Sequence, residues 1–223
     1  MKLEQVQVRK RMSIFLMITF ALPFAMGALM AYGYSREMDL NVFPLAQMLY
    51  PAAGVMLAAL ITSKGDPLLP KRFFIVFLIL TALTILMAIA SVGVPAVLPW
   101  GTVSGNVLLV GSIVLFVLLL VEEKDKLVAY GLNGKRWGAV FLICLLYVAL
   151  YIGRFAIYYG IGGQLGFLGV IAQDPRTWSV ITYLIPGFFM VAAAFLGEEY
   201  GWRYYLQPVL QKKLGPVLGV VLV

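Results

Sequence analysis

Glu198 and Glu199 stand side by side at the end of an apolar run, Trp178 to Gly197, and Arg203 follows four residues later. Acidic side chains at the edge of a hydrocarbon-length segment are costly, and a functional role is their default reading. On a helix, Glu199 and Arg203 share a face. Glu198 is turned by roughly 100° from Glu199, at ~3.6 residues per turn, and lines up with Trp202 and Tyr205. One carboxylate therefore has a built-in cationic partner. The other is left beside aromatics, where its basicity could be used. The plain alternative is that both acids only mark the water interface. Against it, Phe195 and Leu196 precede the pair and Trp202, Tyr204 and Tyr205 follow. Gly197 and Gly201, also four apart, are spaced to let a second helix approach closely. Ordinary helix packing explains the glycines equally well.

The elements that must position these residues are membrane helices. The chain has 223 residues, of which 62% are hydrophobic and 12% charged. That composition points to an all-α, polytopic transmembrane helical bundle. Spanning segments need ~20 mostly apolar residues, and six stretches qualify, near 13–34, 43–62, 72–92, 103–121, 138–160 and 178–200. A truncated seventh is expected to begin near Leu214, with a helix starting at Pro216. The first apolar run is longer than the ~7–15 residues of a signal-peptide core and reads as a retained helix. Asp174-Pro175 reads as a helix start, and Pro186 predicts a kink near Leu184 or Ile185. Val94 to Gly105 reads as a short loop. The expected organisation is an N-terminal four-helix membrane region, 1–137, followed by the start of a second core, 138–223.

The net charge of +7 does not imply a nucleic-acid partner, because the basic residues sit in short clusters between apolar runs. With a cytoplasmic N-terminus, the cytoplasmic parts hold Lys2, Arg9, Lys10, Arg11, Lys64, Lys71, Arg72, Lys124, Lys126, Lys135, Arg136, Arg203, Lys212 and Lys213. The opposite side keeps Arg36, Arg154 and Arg176, the imbalance of a positive-inside topology. Trp100, Trp137 and Trp178 fall at the expected membrane edges. The lone Cys144 excludes an internal disulfide or a cysteine metal cluster, and there is no His. The glycines from Gly160 to Gly169 lack the strand and the Lys of a phosphate loop.

Phe195 to Pro216 contains Gly-Glu-Glu-x-Gly-Trp-Arg-x-Tyr-Leu-x-Pro-x-Leu-Gln-Lys-Lys-x-Gly-Pro. This stretch closely resembles the first motif of the CPBP intramembrane proteases, the CAAX prenyl protease and bacteriocin-processing (Abi) family. The resemblance covers Trp178 to Val223. It implies an intramembrane endopeptidase that cleaves lipidated or membrane-associated peptides near the cytoplasmic face, on prenylated or bacteriocin-like substrates. Glu198 would be the general base that activates water, with a pKa raised by shielding. Glu199 and Arg203 would stabilise the site. The family's later motifs each supply a His, which this sequence does not contain, so hydrolysis would need histidines from elsewhere. The resemblance leaves open whether the activated water is held by zinc. A bacterial inner membrane is the location it suggests. Two other functions fit the same residues: a non-catalytic immunity or scaffold membrane protein, and a transporter subunit using Glu198, Glu199 and Arg203 as a gate.

Overall fold

The computed structural model describes residues 2–134 and 137–223; Met1, Lys135 and Arg136, two of which enter the cytoplasmic charge count above, lie outside the described residues. Every regular element among the described residues is helical. Five helices are long and apolar enough to cross a membrane: Val6–Tyr34, Val42–Thr62, Lys71–Gly93, Trp100–Val121 and Gly138–Ile161. The chain divides into two compact units, residues 1–132 with 189–223, and residues 133–188.

In the first unit α1 (Lys2–Leu16) runs through a π-helical turn, π1 (Met17–Ala21), into α2 (Leu22–Tyr34). Then come α3 (Val42–Thr62), α4 (Lys71–Gly93), α5 (Trp100–Val121) and the short α6 (Lys124–Ala129). The loop expected over Val94 to Gly105 is therefore shorter than the Pro and Gly content suggested. Pro99 takes the N-cap, and the Trp100 indole N–H donates to the Val94 carbonyl at 3.0 Å, closing the turn.

The centre of this unit is α3, whose residues Leu49, Ala52, Ala53 and Met56 are buried with Phe15 of α1, Phe73, Phe74 and Phe77 of α4, and Leu108 of α5. Lipid tails are as apolar as these side chains, so helices in a bilayer associate through close packing and hydrogen bonds. Polar side chains in the spans are accordingly turned onto their own helices: Thr81 donates to the Phe77 carbonyl and Ser91 to the Ala88 carbonyl.

The second unit holds α7 (Trp137–Ile161), α8 (Leu165–Gln173) and most of α9 (Pro175–Met190). Along α7, Tyr147, Tyr151, Phe155 and Tyr159 recur every four residues, and adjacent rings stand 5.1–6.3 Å apart. The Arg154 guanidinium lies over the Tyr151 ring. The Asp174-Pro175 start is present: the Asp174 carboxylate accepts from the Arg176 N–H at 2.9 Å. The Trp178 indole donates back to the Ala172 carbonyl at 2.8 Å, while the Trp137 side chain lies outside what is described.

The single helix expected over 178–200 is corrected. α9 continues through position 186 to Met190, and the interruption comes at Val191, with φ −113° and ψ 11°. After it come α10 (Ala192–Glu199), a second π segment, π2 (Tyr200–Leu206), α11 (Gln207–Leu214) and α12 (Pro216–Val221). The start at Pro216 is as expected, after Gly215 at φ +86°. α12 turns back on α11, with Gly219 set against the Gln211 backbone.

Candidate functional site

The interruption at Val191 leaves the first N–H groups of α10 without helical partners. One is met from outside: the Ala193 N–H donates to Ser112 Oγ of α5 at 3.0 Å, in a buried position. That bond sets where α10 begins. Its seat on α3 is set by glycine. A Cβ on Gly197 would collide with the Met48 carbonyl, and one on Gly201 with Pro51. The glycine pair thus brings this segment against the α3 backbone, the close approach that its spacing allowed.

The geometry separates the two acids as the helical spacing predicts. Arg203 Nε and Glu199 Oε2 are 3.1 Å apart, on side chains that are 72% and 52% exposed. The pair lies on the outside of the unit, not within it. Glu198 faces the other way, into a cavity of about 340 Å³ that it lines with Thr19, Gln47, Met48, Pro51 and Trp202. Among the described residues it has no ion-pair or hydrogen-bond partner. Trp202, one helical turn on, packs edge-on against Phe15 and Phe20 at 6.0 and 5.8 Å. Tyr205 meets Phe15 at 5.1 Å and is not part of the lining.

Local irregularities of all three contributing segments converge on this cavity. Thr19 lies in π1 and Trp202 in π2, and π-helical turns occur disproportionately at functional sites. Pro51, inside α3, cannot donate to the carbonyl four residues back, which belongs to Gln47. Thr19 is only 5% exposed and its hydroxyl oxygen has no partner. Other helical hydroxyls, on Thr62, Thr81, Thr84, Ser91 and Ser104, all bond a carbonyl three or four residues back. Sequence reasoning missed Thr19, Gln47 and Pro51. The signal for Pro51 was a proline inside a spanning segment; Thr19 and Gln47 carried none.

A polar cluster ties the neighbouring loops to π2. The Tyr200 hydroxyl donates to the Tyr130 carbonyl at 2.8 Å, and the Tyr130 hydroxyl donates to Asp66 Oδ2 at 2.7 Å. Arg11 donates to Thr62 Oγ1 at 2.7 Å and to Ser63 Oγ at 2.6 Å. The Tyr130 hydroxyl, then the Leu68 N–H, hold the Asp66 carboxyl below the usual carboxylate range, and Arg11 adds attraction. Burial, then the bond to Asp66, pushes the Tyr130 phenol up.

The donor set does not make a zinc site. Glu198 and Glu199 point apart, Cys144 belongs to the other unit, and among the described residues no three His, Cys, Asp or Glu side chains cluster. Structural and catalytic zinc take three or four such ligands.

No family model, no curated protein and no solved structure matches this chain.

Proposed function

We propose that this chain forms the base-bearing part of an intramembrane endopeptidase, with Glu198 taking the proton from a water in its cavity as that water adds to a peptide carbonyl. The observation that carries the reading is the asymmetry of the two acids: Glu199 is neutralised by Arg203, while Glu198 faces a cavity without a partner. The resemblance of Phe195 to Pro216 to the first CPBP motif agrees with that division of roles. The Gln47 side-chain amide lines the same cavity and supplies N–H donors for charge developing on the carbonyl oxygen. Substrates of this reading are lipidated or membrane-associated peptides. The membrane assignment of this reading takes the five long helices and the 178–200 stretch as crossings, with a cytoplasmic N-terminus in a bacterial inner membrane.

A second reading is a non-catalytic scaffold or immunity protein. It rests on the exposed Glu199–Arg203 pair, which can serve as a surface contact without any chemistry. Cleavage of a membrane-anchored reporter peptide, in membranes carrying the protein, separates the two. Under the peptidase reading Glu198→Gln lowers the rate by about 10²–10⁴-fold, the range of a general base, and Glu199→Gln lowers it less. Cleavage unchanged by Glu198→Gln removes Glu198 as the base. No cleavage by any version, in membranes supplemented with host extract, favours the scaffold.

A further inference from the structure

The Glu198 cavity continues into a second one. A groove of about 420 Å³ is lined by Thr19, Phe20, Pro23, Phe24 and Gly27, and it shares Thr19 and Pro23 with the cavity that holds Glu198. The Phe20 and Trp202 rings, in edge contact at 5.8 Å, join the two walls. We propose that the joined cavities bind a small amphiphilic primary amine, with its ammonium on Glu198 and its aliphatic chain in the groove of Phe20, Pro23, Phe24 and Gly27.

The charge pattern selects the ligand. Glu198 is the one ionisable residue lining either space, and no Lys or Arg lines them. An anionic head group would therefore meet no cation and would be repelled by the Glu198 carboxylate, and a neutral one would leave that carboxylate unpaired. An ammonium carries three donors and no acceptor, and the polar wall offers acceptors: the Glu198 carboxylate, the Gln47 amide oxygen, and the Thr19 hydroxyl, which has no partner and is 95% withdrawn from solvent. The Trp202 ring adds a face that attracts cations. The apolar groove shares Thr19 and Pro23 with the Glu198 cavity and is not itself lined by Glu198, so an ammonium on Glu198 leaves the groove for the chain. A zwitterionic aminolipid carries the same ammonium, but its phosphate finds no cation here. The inference does not rest on the hydrolytic role of Glu198; it needs only the negative charge.

The test is binding of tritiated octylamine to the full chain in maltoside micelles, read by scintillation proximity. Saturable binding is expected, displaced by unlabelled octylamine and not by octanol. Loss of a charge-assisted contact in Glu198→Gln weakens binding by about tenfold or more, whereas Glu199→Gln, whose carboxylate faces outward to Arg203, leaves it within about twofold. Dihexanoyl phosphatidylethanolamine competes more weakly than octylamine if the source is a simple amine; equal competition supports the ammonium site and assigns it to a lipid head group. Equal binding by Glu198→Gln and the parent, or displacement by octanol as effective as by octylamine, overturns the proposal. The octanol comparison is made on the unaltered chain, so it stands even if Glu198→Gln fails to fold.

Discussion

At the scale of single residues, exposure decides what each charge is worth. Arg203 and Glu199 are more than half exposed, and exposed pairs contribute about 0–1 kcal/mol. Arg203→Ala is thus expected to shift the unfolding midpoint in detergent by at most about that equivalent, and the small difference should shrink as salt is raised. A loss of several kcal/mol would mean that the pair is enclosed in the membrane-embedded protein. Asp66 behaves differently. Its folded pKa is depressed, so its contribution to stability is present above the ordinary carboxylate value near ~4 and is lost as pH falls through the lower folded value. Tyr130, raised by burial and by Asp66, contributes below ~10 and loses that contribution as pH rises through its folded value. Tyr130→Phe removes the hydroxyl that donates to Asp66, so the Asp66 carboxylate should titrate closer to ~4 when followed by ¹³C NMR of labelled aspartate. An unmoved titration would show that Leu68 and Arg11 suffice.

At the scale of elements, the position of α10 depends on two contacts that can be tested separately. Ser112→Ala leaves the buried Ala193 N–H without an acceptor, which costs about 1–3 kcal/mol, readable as earlier thermal unfolding. Gly201→Ala forces a methyl into Pro51. Overpacking of a rigid contact costs about 1–3 kcal/mol or more, and here it should also push Trp202 off the cavity, altering its fluorescence. The sequence made the five long apolar helices legible because their runs reach the ~20 residues a crossing needs, and the spacing of Glu199, Arg203, Gly197 and Gly201 carried their contacts. Proline was a poorer guide. Pro186 drew attention to itself, yet the interruption comes at Val191, just before Ala193 is held by Ser112, 81 residues earlier. Long-range bonds of this kind leave no periodic trace. The π turns were equally silent, since one extra residue per turn does not disturb an almost uniformly apolar pattern.

At the scale of the whole molecule, the proposed topology is one that reporter fusions can read. Fusions after Ser35 and Gly101 should report the side opposite to those after Gly65 and Gly134, and a fusion after Lys213 should report the cytoplasmic side if α9 and α10 together make a crossing. An external signal at Lys213 would leave only the five long helices as spans. The close seat of Gly197 and Gly201 on Met48 and Pro51 also has a bearing on biogenesis. Met48 and Gly197 are about 150 residues apart in the chain, so at roughly 5–20 residues per second some 8–30 s of synthesis separate them. During that interval the α3 backbone at Met48 and Pro51 lacks the segment that covers it. The Glu198 chamber therefore does not exist in a nascent chain until Glu198 and Trp202 have emerged, and a ribosome stalled before residue 197 would present an insertase or quality-control protease with an open α3 in place of a site.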